Sequence, residues 1–193
     1  MRRRKWAAVG LAGLAFAALA PAKRGLANAV WAINPARTQI TFLIDAVGYP
    51  RTKGEFRDFK GDISVDFDHP GNSRVRFSVA AQSIDVGSSG FNDYLKTAAF
   101  LDAPRFPTIT FASTSIEKID ETHVAVVGDL TLLGVTKPLQ VEVEVKRDPG
   151  GGKTRLGFTA HGAIDRLAFG LNSGYPAISR TIDLVVASEA AQQ

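Results

Sequence analysis

The sequence predicts an all-β domain, an eight-stranded antiparallel β-barrel with one short α-helix. Three observations carry this: apolar residues recur with period two from residue 38 onward, turn residues separate the runs, and a single interval switches to helical spacing. The alternation first shows in Ile40, Phe42 and Ile44. It returns in Ile63, Val65, Phe67, in Val75, Phe77, Val79, and in Ile109, Phe111. Three further runs follow in Val141, Val143, Val145, in Leu156, Phe158, Ala160, and in Ile182, Leu184, Val186. Successive side chains of a strand point to opposite faces, so each run offers one apolar face for burial.

Turn chemistry fits between the runs: Gly48-Tyr49-Pro50, Asp68-His69-Pro70-Gly71-Asn72, Ile119-Asp120-Glu121, Gly134, and Asp148-Pro149 followed by Gly150-Gly151-Gly152. The exception spans 88–107. There Ser88 or Ser89 can cap a helix, Asp93 stands in its first turn, and Phe91, Tyr94, Leu95 and Ala98 keep helical spacing. A short helix is expected, ending before Pro104. Alternation alone suits a sandwich or a closed barrel, but strands of about ten residues favour closure, because it removes exposed edges. A barrel of eight strands holds side chains or one small ligand. Twelve Phe against one Met suggest an apolar interior, although the same rings could simply fill a core.

Charge divides the chain in two. The formal net charge is +4, yet residues 1–29 hold Arg2, Arg3, Arg4, Lys5, Lys23 and Arg24 and no acid, leaving 17 basic against 19 acidic residues from Val30 onward. A body near −2 offers no basic stripe for nucleic acid. Residues 1–29 read as a signal peptide, with a basic start, an Ala- and Gly-rich apolar stretch from Trp6 to Ala20, and Ala27-Asn28-Ala29 as the cleavage site. The adjacent arginines and Lys23-Arg24 also carry features of twin-arginine export. The apolar stretch falls short of the roughly 20 residues that span a bilayer, so no stable membrane anchor is expected. The mature domain is then 30–193, periplasmic, and held by packing alone, since the chain has no cysteine.

Several motifs dissolve on inspection. Gly150-Gly151-Gly152-Lys153-Thr154 resembles the end of a phosphate-binding loop, but Arg147 stands where the first glycine belongs and a strand pattern follows instead of a helix. Gly87-Ser88-Ser89-Gly90 lacks the spacing and setting of a nucleophile elbow. His69, His123 and His161 are too far apart in sequence for a helical metal site, and no cofactor, metal or catalytic pair is expected. Arg51, Lys53, Arg57 and Lys60, interleaved with Glu55 and Asp58, form a strand edge that could receive an anionic head group.

Two segments then carry a family signature: Tyr94 to Ser115, YLKTAAFLDAPRFPTITFASTS, and Gly128 to Pro138, GDLTLLGVTKP. Gly54 to Gly61 (GEFRDFKG), Ser83-Ile84-Asp85, and Ile164-Asp165-Arg166 with Phe169-Gly170 add to it in order. The chain thus resembles the YceI-like family of exported bacterial proteins over nearly its whole mature length. That resemblance implies a lipocalin-like barrel, a polyisoprenoid or similar long-chain lipid as ligand, and a homodimer. It departs from the family where many members have a histidine in the first hairpin and another in the helix; here Ala46 and Tyr94 stand instead. Tyrosine keeps an apolar body and a polar tip, so Tyr94 could preserve a wet end to an apolar tunnel.

The expected function is a periplasmic, non-enzymatic binding protein that stores or transports an apolar ligand, a polyisoprenoid, related lipid or isoprenoid quinone. Strand parity nominates Phe42, Ile44, Phe56, Phe67, Phe77, Val79, Phe111, Phe158 and Leu184, with Leu95 of the helix, as lining residues. Parity defines two faces without saying which points inward. Arg51, Lys53, Arg57, Tyr94 and Lys96 are the head-group candidates. Two other readings compete: an envelope stress or partner protein with a filled barrel core, and a small exported enzyme acting on a lipid intermediate.

Overall fold

In the computed structural model, which describes residues 29–148 and 155–192, every strand pairs antiparallel with its neighbours. Eleven segments follow along the chain: β1 (Ala29–Ile33), β2 (Gln39–Ala46), β3 (Tyr49–Phe56), β4 (Phe59–Val65), β5 (Arg74–Ala80), β6 (Ile84–Asp85), β7 (Thr108–Lys118), β8 (His123–Leu132), β9 (Val135–Asp148), β10 (Arg155–Asp165) and β11 (Ile178–Gln192). The helix α1 (Ser89–Lys96) lies between β6 and β7. The signal-peptide reading falls on residues outside those described, apart from Ala29, and so does the glycine-rich turn at 149–154.

Eleven segments replace the eight strands expected, because three long strands are interrupted. A 3-10 turn at Pro35–Arg37 separates β1 from β2; Pro35 has no N–H to give a ladder, and the Asn34 side chain accepts from the Ala36 N–H instead. Arg57 and Asp58 separate β3 from β4, and a 3-10 turn at Ala81–Ser83 separates β5 from β6. Pairing runs straight across the breaks. β11 pairs with β2 at Ala187↔Gln39 and with β1 at Ala190↔Ile33. On their other side β2 pairs with β3 at Ile40↔Phe56, and β1 with β4 at Trp31↔Ile63. β6 and β5 likewise continue one another along β3 and β4. Since β5 then pairs with β7, and the meander β7 to β11 is sequential, the sheet returns to β1 and closes.

The helix starts two residues earlier than its periodicity suggests and stops at Lys96. Ser88 takes the N-cap position, but without a side-chain cap bond. Asn92 anchors the helix instead: its Oδ1 accepts from the Val86 N–H at 2.8 Å, and its Nδ2 donates to Asp85 at 2.9 Å. The chain then folds back through turns, with Leu101 N–H donating to Leu95 O and Ala103 N–H to Lys96 O. This tucks Leu95 and Leu101 into one end of the barrel, against Leu132, Phe169 and Leu171. At the opposite end, Trp31, Ile63, Leu156 and Ala190 form a separate buried cluster.

Three phenylalanines share one local arrangement. The rings of Phe42, Phe77 and Phe111 lie over Gly54, Gly61 and Gly128 of the adjacent strands, where a Cβ would collide with ring atoms. Glycine's missing side chain lets each ring lie along the barrel wall rather than toward its axis. At Gly128 the collision involves backbone too, since a Cβ would sit 2.6 Å from the Ala112 carbonyl oxygen. Gly128→Ala should therefore lower stability by about 1–3 kcal/mol through overpacking. Gly90→Ala in α1, where a Cβ meets nothing within 4 Å, should raise it slightly. Urea unfolding midpoints of the two variants test the contrast.

Candidate functional site

The lining of the barrel interior settles which face of each strand is inward. Phe42, Ile44 and Thr52 face a cavity of about 1120 Å³ that runs through the barrel. Protein interiors ordinarily hold few voids larger than a water molecule, so this space is a built feature and the barrel is hollow. It lies just above the usual range of small-molecule sites, about 300–1,000 Å³.

All ten nominated lining residues meet here: Phe42, Ile44, Phe56, Phe67, Phe77, Val79, Leu95, Phe111, Phe158 and Leu184. Phe42 and Phe56 pack with ring centroids 5.7 Å apart. The wall also includes Ile40, Val126, Leu130, Leu139 and Val141, from strands whose parity was legible. Phe100, Leu101 and Leu171 join from connecting segments that have no period to read, and Ile178 from the first residue of β11.

The five head-group candidates are not brought to the cavity. Arg51 and Lys53 alternate with the inward Thr52, so they face outward. Arg51 pairs there with Asp183, and with Asp45 at 3.4 Å. Arg57 pairs with Glu55 at 2.8 Å and Asp85 at 2.5 Å. Lys96 approaches Asp93 at 3.4 Å, while Tyr94 packs on Phe91 and Phe100 at the outside of α1. This apolar-in, charged-out pattern is the reverse of a membrane-spanning barrel.

The two ends of the cavity differ. At the helix end its lining is mainly apolar, with Val47, Tyr49, Phe91, Phe100, Ala177 and Ile178 beside the buried Arg166. At the far end Asp66, Lys118, Asp120, Glu121, His123 and Arg147 reach it. Lys118 pairs with Glu121 at 2.7 Å, and the Arg147 guanidinium lies 3.6 Å above the Phe67 ring. Asp120 caps the turn between β7 and β8. Its carboxylate accepts from the Thr122 N–H at 2.7 Å and from the His123 ring and N–H, which holds its pKa down to about 2. Among the described residues, no group of three or more metal-ligating side chains comes together.

Sequence parity gave no reason to single out Arg166. It lies on the cavity wall yet is only 1% exposed. Its guanidinium donates to four backbone carbonyls: Leu171, Ser173 at 3.0 Å, Ile178 at 2.9 Å and Ser179 at 2.6 Å. Burial pulls its pKa below the ordinary guanidinium value. Asp165, the adjacent acid, is taken by Arg180 at 2.6 Å. Carbonyl dipoles thus stand in for a counter-ion, and the charge pins the 171–179 segment across the helix end of the barrel.

Residues 31–190 match the YceI-like domain. The chain is similar to protein YceI of Escherichia coli O157:H7, 35% identical over 157 residues that cover 80% of this chain and 81% of the relative. In fold it is similar to BcnA of Burkholderia cenocepacia, with a TM-score of 0.75 at 21% identity, covering 81% of this chain and 98% of that one. It is also similar in fold to a polyisoprenoid binding domain from Saccharophagus degradans implicated in plant cell wall breakdown. There the TM-score is 0.68 at 15% identity, over 86% of this chain and 99% of that one.

Two outcomes follow from these contacts. Arg166→Ala, which leaves one buried and three partly buried carbonyls without their donor, should lower stability by about 3 kcal/mol in denaturant unfolding. Because the folded-state pKa of Asp120 lies below its unfolded value of about 3.9, its contribution is present above that pH and is lost as pH falls toward about 2. Amide exchange in the β7–β8 hairpin should accelerate over this window in the native chain and show no such step in Asp120→Asn.

Proposed function

The chain belongs to the YceI-like family, and we propose that it is a binding protein that holds one long apolar ligand, a polyisoprenoid or related lipid, inside the barrel. The observation that carries this reading is the cavity of about 1120 Å³ with its wall of Phe, Ile, Leu and Val side chains. At roughly 0.8 kcal/mol per buried CH₂, a dozen methylenes gain on the order of 10 kcal/mol, more than a few head-group hydrogen bonds supply. Affinity then comes from length and apolarity, and selection among tails of similar bulk is loose. The similarity in fold to a polyisoprenoid binding domain supports the same class of ligand. A partner protein with a filled core needs no such space.

The proposed setting is the periplasm, reached by the leader at 1–29, with the ligand stored or carried between sites of use. The outward ion pairs of Arg51 and Arg57 suit a water-filled compartment.

Phe77 tests the proposal. It lines the cavity and covers Gly61, so Phe77→Asp introduces a charge that an apolar tail would have to desolvate. The folded variant should lose retention of geranylgeraniol about a hundredfold or more. Unchanged retention in a variant that still unfolds cooperatively would remove Phe77 from the ligand path.

A further inference from the structure

Five large apolar side chains stand exposed around the helix end of the barrel: Val47 at 78%, Tyr49 at 76%, Tyr175 at 55%, Tyr94 at 48% and Phe91 at 41%. They come from three chain segments that touch one another. The Val47 N–H donates to Ala177 O at 2.8 Å, which joins the β2–β3 hairpin to the segment carrying Tyr175. The Ser173 hydroxyl donates to Ala99 O, which joins that segment to the turn after α1. Phe100 of that turn packs on Tyr94 at 5.3 Å, and Tyr94 on Phe91 at 6.3 Å. The result is a rim rather than a flat patch, and Val47, Tyr49 and Phe91 belong to it and to the cavity wall at once.

We propose that this rim is a docking surface for a lipid bilayer, through which the cavity opens directly onto the hydrocarbon of the membrane. The proposal rests on the reading of the cavity as a lipid site. Three features select a bilayer as the occupant. First, large exposed apolar side chains at a cavity mouth carry a hydration cost that a bilayer removes without sealing the opening, whereas a protein seated on the rim would cap it. Second, three of the five are aromatic rings with a polar tip, Tyr49, Tyr94 and Tyr175, the residue type that settles at the level of lipid head groups. Third, the ends are unlike. The helix end lines its mouth mainly with apolar groups, and the Arg166 charge on that wall is buried and satisfied by backbone carbonyls, so a tail can pass from bilayer to cavity along an apolar path. The far end presents Asp66, Lys118, Asp120, Glu121 and Arg147, whose desolvation in a bilayer would be costly. Docking is therefore expected at one end only.

The test uses the mature protein and vesicles of phosphatidylethanolamine and phosphatidylglycerol. Tyr94→Ser and Tyr175→Ser, singly and combined, remove rim rings outside the cavity wall; Ile119→Ser removes an exposed apolar group at the far end. The native chain and Ile119→Ser should sediment with vesicles alike, and the combined variant should do so about tenfold less. All should unfold cooperatively, the Tyr94→Ser variants a few degrees lower because Tyr94 packs on Phe91 and Phe100, and all should bind geranylgeraniol alike in vesicle-free solution. Failure of the native chain to sediment, or equal sedimentation of all variants, would overturn the docking surface. Unchanged sedimentation with a fall from dimer to monomer mass in the combined variant would place a second copy of the chain on the rim, and would also overturn it. Geranylgeraniol binding is read separately: its absence while rim-dependent sedimentation persists would sink the cavity reading and leave the docking surface standing.

Discussion

Everything in this molecule depends on the closure made by β11. One edge of that strand pairs with β10 along its length; the other pairs first with β2 and then with β1. Without it the sheet would present two long edges, open to pairing with other chains, and its apolar face would meet water. With it, all inward side chains share one enclosed volume. The breaks at Pro35–Arg37, Arg57-Asp58 and Ala81–Ser83 do not weaken the closure, because each interrupted strand resumes against the same neighbours.

Closure alone would allow a filled interior, especially in a chain with twelve phenylalanines. The glycines opposite Phe42, Phe77 and Phe111 decide otherwise. Each ring lies along the wall over a backbone that carries no side chain, so the rings line space instead of occupying it. At the ends, different physics takes over. Leu95 and Leu101 plug part of one end, and Arg166 holds its flanking segment by donating to carbonyls rather than pairing with an acid. At the other end Asp120 and its partners fix a polar turn.

How much of this was legible in the sequence follows from where periodicity exists. Residues such as Phe42, Phe77, Phe111 and Leu184 lie in strands whose alternation is unbroken, and parity places them together on one face. β1 escaped notice because Ala29–Ile33 is five residues long and abuts the Ala-rich stretch before it, although Trp31 and Ile33 already alternate there. The interruption between β3 and β4 was hidden because Arg57 and Asp58 lie inside the run GEFRDFKG, where nothing marks a break. The head-group candidates Arg51 and Lys53 were chosen as a cluster of charge, yet the parity that placed Phe56 inward also turns them outward. Arg166 was legible as part of a motif but not as a buried charge, since its four acceptors are backbone carbonyls that any sequence would carry.

A cavity that binds a long apolar chain should be filled when the protein leaves the cell. The mass of the native protein, expressed from its full sequence and purified without detergent, is measured before and after organic extraction. A stoichiometric loss of mass is the outcome expected of lipid binding, with a prenyl or acyl chain recovered in the extract. A protein that is empty as purified, and that stays empty when offered isoprenoids, would contradict it.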